Sequence, residues 1–204
     1  MSDPIPINLA VEDSLTESLT LKILRDTSYA PKTIYNRGGY GYLRRSINSF
    51  NLAARGTPFL VGTDLDQYEC PPLLIADWLR TPKHPNLLIR VAVREAEAWL
   101  LADRDNFAGF LGIRPLLIPS DVEALPDPKA SLIALAHKSK RRNLRDDICP
   151  RDGSTSKIGR NYNGQLVRFV AESWNPDTAK LNSSSLRRTI ARLAAFRPTW
   201  ANPV

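Results

Sequence analysis

The sequence predicts an α/β protein: a mostly parallel sheet of about four strands flanked by helices, followed by a helical C-terminal extension. Three observations carry the prediction. Apolar strand-like runs alternate with helix-like segments over residues 5–105, in the order β-α-β-α-β-α-β-α. Acids stand at the ends of three of these runs: Glu12, Asp64 with Asp66, and Glu95 with Glu97. Beyond residue 105 the alternation stops, and Pro115, Pro119, Pro126, Pro128 and Pro150 cut the chain into short pieces. The expected organisation is a core over 1–105 and a mainly helical, basic extension over 106–204 packed on it.

Residues 5–11 alternate weakly and end apolar, as a buried first strand does. Ser14-Leu15-Thr16-Glu17 has the spacing of a capping box, and Leu15, Leu19 and Ile23 then recur at helical spacing, which predicts a helix over 14–26. Thr33-Ile34-Tyr35 reads as a short strand. Gly38-Gly39-Tyr40-Gly41 reads as a flexible loop before a helix that runs to Ala54 and stops at Arg55-Gly56. The run at 58–63 is the clearest strand. Pro71-Pro72 opens a helix with Leu73, Ala76 and Leu79 on one face. A strand over 87–93 and a helix from Glu97 to Ala102 follow. In the extension, helices are expected at 129–137, 165–173 and 183–196, the last with Leu186, Ile190 and Leu193 inward and Arg187, Arg188 and Arg192 outward. Trp78, Trp99 and Trp174 are expected in the core.

The chain has 204 residues, 43% hydrophobic and 24% charged, enough for a substantial core. It carries no apolar run of about 18 residues, so no membrane-spanning helix is expected. Met1-Ser2-Asp3-Pro4 lacks the basic and apolar regions of a signal peptide. Cys70 and Cys149 are far apart without metal-ligand spacing and read as free thiols of a reducing cytoplasm. The net charge of +7 and pI of about 9.6 point to a polyanionic partner, nucleic acid foremost.

In an open α/β sheet, ligands bind beyond the carboxyl ends of the strands. Carboxylates gathered there repel one another unless a cation lies between them, and hard oxygen donors suit Mg²⁺ or Mn²⁺. The plainer reading of any one acid is a helix cap. With these residues in view, the chain resembles a Toprim-type domain, the metal-binding fold shared by topoisomerases, primases and OLD-family nucleases, and more closely the Toprim-like DUF4276 family. Three motifs carry the resemblance: Leu9-Ala10-Val11-Glu12, Asp64-Leu65-Asp66, and Glu95-Ala96-Glu97-Ala98 followed by an apolar stretch and Asp103. Ile158-Gly159-Arg160-Asn161-Tyr162 resembles the family's C-terminal half more faintly. Asp13 stands where the family usually has glycine.

The resemblance implies a Mg²⁺-dependent nuclease with Glu12, Asp64 and Asp66 as metal ligands. Glu95 or Glu97 would support a second ion or act as a base, and the first glutamate would do acid–base work. The metal would orient the phosphate, activate water and neutralise developing charge. The resemblance further implies an effector of antiviral defence working with an ATPase partner. Asp64 and Asp66 share one face only on extended backbone, and Glu95 can join Glu97 only if it is still extended, since two helical residues lie about 200° apart. Arg44 and Arg45 beside the glycines, Lys138, Lys140, Arg141 and Arg142, and Lys157 with Arg160 are candidate nucleic-acid contacts or, on the plainer reading, solvated charge. Tyr162 reads as a base-stacking or a core aromatic. The competing function is a non-catalytic adaptor that keeps its acids for folding. DNA versus RNA, and self-association, stay open at this level.

Overall fold

Four strands form one sheet in which every neighbouring pair is parallel: β1 (Ile5–Val11), β2 (Tyr29–Tyr35), β3 (Phe59–Asp64) and β4 (Leu87–Ala92), in the order β2-β1-β3-β4. The computed structural model describes residues 3–199. The α/β class and the parallel sheet expected from the sequence are therefore present. The sheet belongs to a unit made of the chain up to Ala92 together with the segment from Arg188 onward, and Val93–Arg187 forms a second unit.

The two central strands are apolar without alternation because helices cover both faces. β1 is buried from Ile7 to Val11, and β3 from Phe59 to Thr63. β2 is an edge strand, largely exposed, and longer than the three residues its pattern suggested. Its Pro31 has no N–H to give a ladder, and the register slips by one residue beside it: Ile7 pairs with Pro31, but Leu9 with Ile34.

Helix α1 (Ser14–Leu24) connects β1 to β2, α2 (Gly39–Ala53) connects β2 to β3, and α3 (Pro71–Trp78) connects β3 to β4. The chain moves one way from β1 to β2, then reverses across β1 to β3. Right-handed crossovers therefore put α1 on one face and α2 and α3 on the other. Tyr40 of α2 meets Trp78 of α3 edge to face at 5.2 Å. Gly62 marks the close approach of α1 to β3, since a Cβ there would lie 3.1 Å from Thr16 Cγ2. Leu15, Leu19 and Ile23 are buried as expected.

Three local expectations are corrected. The cap of α1 is Asp13, whose carboxylate accepts from Thr16 N–H at 2.8 Å, and not Ser14. The glycine segment is mostly helix: α2 begins at Gly39, with only Gly38 outside it. In α3 the buried residues are Leu74 and Trp78, while Leu73 is 50% exposed. Trp78 is too large to leave in solvent, and it sets the inward face one position on from the aliphatic pattern.

The second unit contains α4 (Ala96–Ala102), α5 (Arg104–Leu111), a 3₁₀ turn at Pro115–Leu117, α6 (Pro128–His137), α7 (Arg142–Ile148), α8 (Tyr162–Glu172) and α9 (Pro176–Asn182). Helix α10 (Ser184–Ala195) starts in this unit and ends in the first. All of α4 is buried. Trp99 donates Nε1–H to Ser185 Oγ at 2.7 Å, and Trp174 donates to Trp99 O at 2.9 Å, so both tryptophans are core as expected. The start of α10 is capped from afar: the Glu123 carboxylate accepts from Ser183 Oγ, Ser184 Oγ and Ser185 N at 2.6–2.7 Å. Burial alone would raise that carboxyl, but the serine hydrogen bonds outweigh it and hold it below its ordinary value. In the first unit, Tyr29 donates to Phe196 O at 2.7 Å and stacks on its ring. Among the described residues no helix is long and apolar enough to cross a membrane.

Candidate acidic site at the strand ends

The reversal of strand order falls between β1 and β3. That is the topological switch point, where connections diverge to opposite faces and leave a crevice at the carboxyl ends. Glu12 directly follows β1, and Asp64 ends β3. Glu12 Oε1 accepts from the Asp64 backbone N–H at 3.0 Å and from the Thr63 hydroxyl. Burial lifts the Glu12 carboxyl above its ordinary value. The bonds from Thr63 and Asp64 oppose that lift, and the charges of Asp66 and Asp13 add to it. Four acids, Glu12, Asp13, Asp64 and Asp66, thus gather at the ends of two adjacent strands.

The Asp-x-Asp pair is not extended throughout. Asp64 is still strand, but Asp66 has φ 48°, among the described residues the one non-glycine with positive φ. Aspartate tolerates this left-handed conformation better than most residues. The turn, rather than strand alternation, therefore sets where Asp66 points. Asp13, in the family's glycine position, has φ −149° and needs no positive φ. It is there as a helix cap, and its charge is an addition to the site.

The acids of the second unit have a different environment. Glu95 is extended, with φ −137° and ψ 161°, immediately before α4, and Glu97 lies in the first turn of α4. The condition for both to serve one place is met, and that place is Lys129. Glu95 Oε2 accepts from Lys129 N–H at 2.9 Å, and Glu97 Oε1 lies 3.4 Å from Lys129 Nζ. Glu97 also accepts from Tyr162 O–H at 2.9 Å. Burial raises the Glu97 carboxyl, Lys129 pulls it back, Glu95 pushes it up again, and the Tyr162 bond lowers it. Tyr162 is 2% exposed and is a core hydrogen-bond donor with no face left for a base. Lys129 and Tyr162 are partners that sequence reasoning missed. Pro128 at the start of α6 was the only local signal that Lys129 would be held in place.

The Ile158–Tyr162 motif explains how Tyr162 is aimed. Gly159 N–H donates to Ile148 O at 2.9 Å, and Asn161 N–H to Asp147 O at 3.1 Å. The Asp147 carboxylate gathers Gln165 at 2.7 Å and Arg160 at 3.1 Å. A Cβ on Gly159 would sit 2.2 Å from Asp147 O, so only glycine fits.

The candidate basic contacts separate into paired and solvated groups. Arg44 pairs with Asp77 at 2.9 Å, and Arg160 with Asp147. Arg142 lies 3.6 Å from Asp146 one helical turn on. Arg45, Lys138, Lys140, Arg141 and Lys157 are exposed. The run from 138 to 145 is the turn between α6 and α7 plus the first turn of α7. Arg160 also lines a cleft of about 420 Å³ with His137, Arg145 and Arg151.

Among the described residues no group of three or more His, Cys, Asp or Glu side chains is set to hold a metal ion. Mg²⁺ does not require such a cage, since it commonly takes one or two carboxylates and completes its shell with water and substrate phosphate. The hard oxygen donors at the β1 and β3 ends, where the charges of Asp66 and Asp13 help raise the Glu12 carboxyl, fit that ion in kind. Comparison with protein-family models, curated proteins and solved structures finds no match, so the Toprim and DUF4276 resemblance rests on the motif residues themselves.

Proposed function

We propose that the chain is a Mg²⁺- or Mn²⁺-dependent phosphodiesterase acting on nucleic acid, with its site at the carboxyl ends of β1 and β3. The observation that supports it is the gathering of Glu12, Asp64 and Asp66 at the switch point of a parallel sheet. Asp64 and Asp66 would hold the ion, which supplies charge for the phosphate and acidity for a bound water. Glu12 is the proton-transfer group. Its Oε1 takes the bonds from Thr63 and Asp64, which leaves Oε2 to accept or return the proton. A carboxyl lifted by burial toward the working pH is better matched to that task than an ordinary one. Glu95 and Glu97 are assigned to holding Lys129 and Tyr162, not to the metal.

One observation favours the adaptor reading: Glu12 already braces β3 through Thr63 and Asp64, as a structural acid does. Calorimetric titration with Mn²⁺ separates the two. Binding by the unaltered chain, lost in Asp64→Ala, together with Mn²⁺-dependent cleavage of a labelled oligonucleotide lost in Asp66→Ala, is the expected result. Equal Mn²⁺ titrations of the unaltered chain and Asp64→Ala would make the acids structural.

A further inference from the structure

Arg90 is an arginine in the middle of edge strand β4, half-buried, with its Nε buried and without a hydrogen-bond partner. Three other cations, Lys83, Arg188 and Arg192, are near enough for their charges to couple with this cluster. Lys83 precedes the strand and donates Nζ–H to Leu87 O at 2.9 Å, which fixes its stem at the start of β4. Arg188 and Arg192 lie four residues apart on α10, hence on one face of that helix. The segment after α10 is tied to the entry of β4. Asn86 Nδ2 donates to Thr199 O, and Thr199 N–H donates to Asn86 Oδ1, both at 2.8 Å. Among the described residues none of the four cations makes an ion pair with an Asp or Glu. Their mutual repulsion is felt. Burial, then Arg192 and Arg90, lower the Lys83 ammonium, and burial, then Arg192 and Arg188, lower Arg90.

Four like charges, one of them a partly desolvated guanidinium, cost folding energy that an anion would recover. A guanidinium, with its fixed fork of N–H donors, matches the paired oxygens of a phosphate. We propose that Lys83, Arg90, Arg188 and Arg192 form a binding site for the phosphodiester backbone of a nucleic acid. The site uses none of the residues expected from the sequence to contact nucleic acid, and it does not depend on a metal at the acidic strand ends. It holds the backbone by charge and is indifferent to base sequence.

The test is fluorescence anisotropy of labelled single- and double-stranded DNA and RNA with the full chain, in EDTA, over a series of salt concentrations. EDTA keeps the outcome separate from that of the metal-site proposal. The variant Lys83→Ala/Arg188→Ala/Arg192→Ala leaves half-buried Arg90 in place to protect the fold. It is expected to bind more weakly, with the slope of log affinity against log salt reduced by about 2 to 3, at about 0.7 to 0.9 for each lost contact. Its melting temperature is expected to be unchanged or higher. Arg188→Lys/Arg192→Lys, which keeps both charges, is expected to keep most of the slope. Inorganic phosphate alone is expected to stabilise the unaltered chain against heat more than the triple variant. Nucleic-acid affinity and slope unchanged in the triple variant overturn the proposal, as does binding of an acidic peptide in place of every nucleic acid tried.

Discussion

Replacing Tyr162 by phenylalanine removes one oxygen from the interior and tests how Glu97 is tolerated there. Both residues are essentially closed to solvent, at 2% and 3% exposure, and the hydroxyl donates to Glu97 Oε1 at 2.9 Å. A hydrogen bond to a charged group contributes about 1.5–3 kcal/mol, against about 0.5–1.5 kcal/mol for a neutral pair. Lys129, 40% exposed and 3.4 Å from Glu97, stays in place in both chains and so cancels from the comparison. Tyr162→Phe is therefore expected to cost about 2 kcal/mol where Glu97 is ionised and about 1 kcal/mol where it is protonated, measured from urea denaturation. In a Glu97→Gln background the same change is expected to cost about 1 kcal/mol, a coupling of about 1 kcal/mol in the double-mutant cycle. The pH dependence has a definite sign. Burial raises the folded-state value of Glu97 above its unfolded one, so its favourable contribution is complete below the unfolded value and is lost as pH rises through the folded one. The tyrosine bond opposes that loss, so the cost of Tyr162→Phe grows across the same window. A cost below about 0.5 kcal/mol at neutral pH, or an additive cycle, would refute the assignment of Tyr162 as support for a buried carboxylate.

Three further outcomes follow from single contacts. Asp13→Ala is expected to cost about 1 kcal/mol by uncapping α1 and Asp13→Gly only a few tenths, and both lower the Glu12 titration measured by NMR because they remove a neighbouring charge. Gly159→Ala is expected to cost about 1–3 kcal/mol in thermal or chemical melts, since its Cβ meets the Asp147 carbonyl and the backbone must move. The Cys149 thiol, pushed up to about 11 chiefly by burial, carries little thiolate near neutrality, so native alkylation followed by mass spectrometry is expected to label half-buried Cys70 and spare Cys149.

The elements that the sequence determines are those whose pattern is dictated by burial alone. Residues 5–11, 59–64 and 87–92 are apolar runs because a parallel strand covered on both faces has no solvent side, and α1 and α10 show their inward residues at helical spacing. The acids at the strand ends were legible for the same reason, since they mark where the apolar run stops. β2 was only half legible, because an exposed edge strand with Pro31 and Lys32 has no burial pattern to read. Whether Asp13 caps a helix or needs a glycine-like φ, and that Asp66 turns out of the strand, are backbone facts that residue type does not decide, because aspartate suits a cap, an extended strand end and a left-handed turn alike. The strand order β2-β1-β3-β4 brings Glu12 beside Asp64 across 52 positions of sequence. The same holds for Tyr162 on Glu97, Glu123 on the serines of α10, and Arg188 and Arg192 near Arg90. These are long-range pairings, chosen by which apolar faces pack together, and the polar partners are carried into place by that packing.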